Sequence, residues 1–143
     1  LSEGVLDAVA TDHAPHSWTD KNVTYQEAAF GISNLETALG SLMGLVHNGQ
    51  VSLMTMVQRL TMGPAKILGS AYLDLATLRP GTLADVTLFD SEAQWTVDTT
   101  KFVSKGKNTP IDGVALKGKV MATIVNGSLV YLDELMKDRV FEK

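Results

Sequence analysis

The sequence predicts an α/β chain with two unlike parts, helical from Ser33 to about Gly69 and stranded beyond Leu78. Three observations carry this reading. Apolar residues recur at spacings of three and four in the first part, they alternate with polar ones in the second, and a short apolar run opens the chain.

That run, Val5-Leu6-Asp7-Ala8-Val9-Ala10, is partly β-branched and reads as a buried strand, although periodicity alone does not separate it from a helical piece. Thr11-Asp12-His13-Ala14-Pro15-His16 follows, and Pro15 stops a helix from crossing it. Ser33 and Glu36, three residues apart, have the form of a capping box. Leu35, Leu39, Leu42, Leu45 and Val46 then give one apolar helical face, with Asn48-Gly49 as its stop. Ser52 is placed to cap a second helix bearing Leu53, Met56, Val57 and Leu60, ending near Gly63. Pro64 suits the first turn of a third, closed by Gly69. The methionines of this half read as core fillers rather than a cofactor groove, and His47, one residue before the Asn-Gly stop, reads as structural.

Beyond Leu78, Arg79-Pro80-Gly81 is a turn and Ala84 to Asp90 alternates as a strand. Residues 102–113 are rich in Gly, Pro and Lys and are expected to form a long connecting loop. Gly81, Gly106, Gly113 and Gly118 read as turn residues. Val120 to Val125, Asn126-Gly127 and Leu129 to Tyr131 spell a hairpin, because Asn-Gly readily adopts the positive φ values of a two-residue turn. Asp133 to Lys143 reads as a short helix or a frayed tail.

The 143 residues carry a net charge of -4 and no cysteine. Thiolate chemistry and disulfides are thereby excluded, and the net charge speaks against nucleic acid as a partner, the one basic cluster, Lys101 to Lys107, reading as a solvated loop. No run is apolar and long enough to span a membrane, and nothing in the sequence points away from the cytoplasm.

The heptapeptide from Ala10 to His16 gathers one carboxylate and two imidazoles after a strand-like run. A carboxylate delivered at a strand's carboxyl end is how α/β barrels place catalytic groups. Asp and His before a proline also build ordinary turns, so this motif alone leaves both readings open.

Thr11-Asp12-His13-Ala14-Pro15-His16, Phe30-Gly31 and Leu35-Glu36-Thr37-Ala38, taken together, resemble the C-terminal part of bacterial dihydroorotases of the amidohydrolase superfamily. The likeness continues through Leu60-Thr61, Pro64 to Gly69, Gly81 to Asp90, Lys107-Asn108-Thr109-Pro110 and Gly118-Lys119-Val120. It implies the last strand and helices of a (β/α)8 barrel over residues 1–77, the C-terminal strands of a composite β-sandwich over 78–132, and a tail over 133–143.

The resemblance also implies the reversible cyclisation of N-carbamoyl-L-aspartate to L-dihydroorotate in pyrimidine biosynthesis, with a zinc centre that activates water. On it, Asp12 is a metal-contacting general base and acid, His16 binds substrate, and the backbone of Phe30 and Gly31 meets the dihydroorotate ring. His13 receives no role beyond orienting the loop. The family's His-x-His pair, its bridging carboxylate or carbamylated lysine and its two further histidines have no counterpart among three histidines, two of them in one loop. The expectation is therefore a C-terminal fragment, inactive alone, whose partners are the N-terminal remainder of the same protein and further copies in a homo-oligomer. Two other functions fit the same residues: a hydantoinase- or allantoinase-type cyclic amidase, and a silent homologue supporting aspartate transcarbamoylase.

Overall fold

A computed structural model describes residues 1–141, with side chains through Lys137. The helical part comprises a single turn α1 (Trp18–Lys21), then α2 (Ala38–His47), α3 (Leu53–Leu60) and α4 (Met62–Leu68). The stranded part is one antiparallel sheet, β1 (Val86–Thr96), β2 (Ala115–Val125) and β3 (Ser128–Leu132), in the order β1-β2-β3. A last helix, α5, spans Glu134–Phe141, and the final two residues of the expected tail lie outside the described residues.

Local signals place the helices and the hairpin. Ser52 Oγ accepts the Thr55 N–H at 3.0 Å, the cap that starts α3. Asn48 ends α2, and Gly69, with φ of 106°, ends α4. Asn126 and Gly127 adopt φ of 49° and 76°, which turns β2 into β3. Met43, Val51 and Met56 form the buried centre, with Leu39, Leu42, Leu45, Leu60 and Phe89 packed around it. Met43 and Met56 are thus core residues, whereas Met54 is exposed. His47 Nε2 lies 2.9 Å from the Ser91 carbonyl and ties the end of α2 to β1.

Three local expectations need correction. Residues 5–10 form no strand: Val5 is 77% and Leu6 56% exposed, because a strand exists only through its ladder and none of β1, β2 or β3 pairs with this run. Ser33 and Glu36 make no capping box; Leu35–Thr37 is a 3-10 turn, and both side chains reach a distant loop instead. Leu35 accordingly leaves the apolar face and is exposed. Gly118 lies within β2, not in a turn, and a Cβ there would meet Met43 Cγ at 2.5 Å, so its smallness lets α2 seat on the sheet.

Gly63 does the same for the opening run. A Cβ at this buried position of α4 would stand 2.0 Å from the Asp7 carbonyl oxygen, a backbone atom that cannot swing aside. Gly63→Ala should therefore destabilise by about 1–3 kcal/mol, read as a lower urea midpoint. An unchanged midpoint would show that the run ahead of Asp12 is not anchored there.

Asp133 is buried, receives Lys119 Nζ at 2.6 Å and the Tyr131 hydroxyl at 3.0 Å, and caps α5 through the Leu135 N–H. Burial works against its charge, but these donors outweigh it and hold its carboxyl below the ordinary value. Burial, and then donation to Asp133, push Tyr131 up to about 12. A depressed carboxyl lends stability that is complete above the unfolded value near 3.9 and is lost as pH falls through the folded one. A raised phenol lends stability that is lost as pH climbs from about 10 towards 12. In urea titrations, Asp133→Asn should flatten the acid limb and Tyr131→Phe the alkaline limb; unchanged limbs would remove these residues from the account.

Candidate functional site

Asp12 opens the loop with φ of 46°, a left-handed conformation that Asp tolerates better than most side chains, and it is exposed. The next residue anchors the loop from beneath. His13 Nδ1 accepts the N–H groups of Asn34 and Leu35, each at 3.1 Å, and so serves the open start of the 3-10 turn at Leu35–Thr37. Asn34 Nδ2 donates to the Thr11 carbonyl at 2.5 Å, and the Ala14 N–H donates to the Ile32 carbonyl at 3.0 Å. Residues 11–14 and 32–35 are therefore laced together, with His13 and Ile32 bridged in parallel.

His16 reaches the second segment with its ring. Its Nε2–H donates to the Phe30 carbonyl at 2.7 Å, which leaves Nδ1 as the nitrogen open to a ligand. All peptides are trans, so the Gly31 N–H points opposite to the Phe30 carbonyl, and it meets no acceptor among the described residues. The Phe30 ring is 94% exposed. Gly31 has φ of 122° and passes so close to the first loop that a Cβ would lie 2.6 Å from Ala14 Cβ and 3.2 Å from His16 Nε2. Its carbonyl accepts Lys21 Nζ at 3.1 Å and Asn108 Nδ2 at 3.0 Å. A capping box between Ser17 and Asp20 starts α1 and delivers Lys21 to that position.

The loop over 102–113 does more than connect. Its Val103 and Ser104 N–H groups donate to the Glu36 carboxylate at 3.0 and 3.1 Å, and the Gly106 carbonyl accepts the buried Ser33 hydroxyl at 2.6 Å. Gly106 packs on Pro15, where a Cβ would come within 2.5 Å. Asn108 bonds to both His16 and Gly31.

Of the residues expected from sequence, the structure brings His16, Phe30 and Gly31 together. Asp12 stands at the start of the same loop, outside that contact set. Among the described residues, no three His, Asp or Glu side chains gather as a metal centre would require. Lys21, Glu36 and Asn108 were not singled out as site residues. The signal for Asn108 was its block Lys107-Asn108-Thr109-Pro110 in the resemblance; for Lys21 there was none.

The helical face, the three-stranded sheet and the loop pair that carries Asp12 and His16 together define a class. Residues 1–130 match the amidohydrolase family, and the chain belongs to it. The solved L-hydantoinase (dihydropyrimidinase) from Arthrobacter aurescens superposes with a TM-score of 0.83 at 31% identity, over 92% of this chain and 30% of that one.

Within that family the chain is similar to dihydroorotases. The dihydroorotase of Syntrophus aciditrophicus (strain SB) is 47% identical over 134 residues, 94% of this chain and 31% of the relative. That of Thermoanaerobacter sp. (strain X514) is 45% identical over 144 residues, all of this chain and 32% of the relative. The chain thus spans about a third of the length of the curated relatives it matches. Among the described residues, no helix is long and apolar enough to cross a membrane.

Proposed function

We propose that the whole protein is a zinc-dependent dihydroorotase of the cytoplasm, interconverting N-carbamoyl-L-aspartate and L-dihydroorotate for pyrimidine biosynthesis. The observation that carries this reading is the closure of His16 over Phe30-Gly31, on the loop that bears Asp12, in a chain close to dihydroorotases. In the hydrolytic direction water adds to the ring amide carbonyl and the carbon–nitrogen bond breaks. Asp12 takes the proton from the attacking water and returns it to the leaving nitrogen. The free Nδ1 of His16, when protonated, donates to the substrate carboxylate, and the Gly31 N–H donates to the ring.

Asp12 fits zinc as one hard, exposed oxygen ligand, and among the described residues no group of three His, Asp or Glu side chains gathers to complete a site. When bound, zinc polarises the carbonyl and acidifies water. The other ligands belong to the N-terminal remainder of the protein, so these 143 residues are inactive by themselves. The remainder also covers Val5, Leu6 and Phe30, and a homo-oligomer completes the assembly.

A second reading, a cyclic amidase acting on hydantoins or allantoin, is favoured by the structural likeness to L-hydantoinase. Assay of the zinc-loaded whole protein separates the two. The expected result is turnover of dihydroorotate and carbamoyl aspartate, each far faster than any hydantoin or allantoin. Faster turnover of a hydantoin or of allantoin would replace the substrate, and no turnover of any of them would leave the silent homologue.

A further inference from the structure

We propose that Asn108 is a positioning residue for the substrate site, and that through it the loop of residues 102–113 sets the spacing between His16 and Gly31. The inference rests on the reading of His16 and Gly31 as substrate-binding.

The geometry is specific. One planar amide spans both substrate segments: Oδ1 accepts the His16 N–H at 3.0 Å, and Nδ2 donates to the Gly31 carbonyl at 3.0 Å. Its own carbonyl accepts the Ser33 N–H at 2.7 Å, two residues beyond Gly31. Because Oδ1 and Nδ2 are fixed in one rigid group, the distance between the His16 and Gly31 backbones is set by the width of an amide. Both ends are spent on main chain, so Asn108 acts through its neighbours and does not contact substrate.

The loop that presents Asn108 is itself held at several points. Glu36 grips the N–H groups of Val103 and Ser104, Ser33 holds the Gly106 carbonyl, and Gly106 lies against Pro15. Lys107 Nζ donates to the Phe102 carbonyl and closes the loop on itself. Lys21 shares the Gly31 carbonyl with Asn108 and also takes that of Ala29 at 2.7 Å, which fixes the peptide from the other side. The residues that orient the substrate segments thus come from the sheet half as well as the helical half.

Loss of the amide frees His16 and Gly31 to drift apart while leaving Asp12 untouched. In the zinc-loaded whole protein, Asn108→Ala should raise KM for dihydroorotate at least about tenfold and leave kcat within about threefold. Asn108→Asp keeps shape and the acceptor for His16 but sets an oxygen against the Gly31 carbonyl, and it should raise KM likewise. It provides the test should the alanine variant not fold. As a stability control, Ser52→Ala removes the N-cap of α3, which has no part in holding this loop. It should lower the thermal midpoint and leave KM within about twofold.

An unchanged KM in both Asn108 variants, or a KM rise in Ser52→Ala as large as theirs, would overturn the proposal. His16→Ala in the same assay separates positioning from binding. If it raises KM while the Asn108 variants do not, positioning fails and the site stands; if it leaves KM unchanged, the site reading itself fails.

Discussion

Asp12→Asn is expected to lower kcat of the zinc-loaded whole protein by about 10²- to 10⁴-fold, the range over which a positioned acid–base group contributes. The replacement isolates the chemistry. Asn has the shape of Asp and also tolerates the left-handed φ of 46° found here, so the backbone of the loop keeps its course. Asp12 is exposed, and its neutralisation strands no buried partner. An amide, however, cannot carry the proton from attacking water to leaving nitrogen. Steady-state rates with zinc content measured alongside give the check: wild-type kcat at full zinc occupancy would remove Asp12 from the reaction.

Gly31→Ala should raise KM by more than tenfold and destabilise by about 1–3 kcal/mol. Two independent reasons converge on it. At φ of 122° an L side chain is strained, and the new Cβ would lie 2.6 Å from Ala14 Cβ and 2.7 Å from the Ala14 carbonyl oxygen. The loops must separate to admit it, and separation pulls on the Ala14–Ile32 and Asn108–Gly31 hydrogen bonds and on the His16 ring above Gly31. KM for dihydroorotate and the urea midpoint measure the two effects. Retention of both at wild-type values would mean that the close approach at Gly31 has no part in binding.

The parts of the fold legible in the sequence are those encoded over a few residues. Ser52 announces α3, Asn48-Gly49 stops α2, and Asn126-Gly127 turns the hairpin, because each satisfies local backbone geometry on its own. Ser33 and Glu36 misled for the same reason. Their spacing fits a local cap, yet their partners, Gly106 for Ser33 and Val103 and Ser104 for Glu36, lie 73, 67 and 68 residues away, and only tertiary structure brings them near. Residues 5–10 are apolar enough for a strand but acquire no ladder among the described residues.

The site shows the same division. Asp12, His16, Phe30 and Gly31 were named through the resemblance, whereas the side chains that hold His16 and Gly31 in place were not. Asn108 and Lys21 act on backbone atoms of other segments, and a backbone atom leaves no trace in the residue type it belongs to. His13 is similar. Its two acceptances, from Asn34 and Leu35, give the orienting hydrogen bonds that a histidine beside Asp12 could make but that its spacing alone did not specify.

On the proposed function His16 selects a ring bearing a carboxylate, and comparison of L-dihydroorotate with dihydrouracil, the same ring without that group, tests it most directly. A charge-assisted hydrogen bond from His16 predicts kcat/KM for dihydroorotate about 10- to 100-fold above that for dihydrouracil, with most of that ratio lost in His16→Ala. Equal kcat/KM values for the two rings, or a preference that His16→Ala leaves intact, would contradict it.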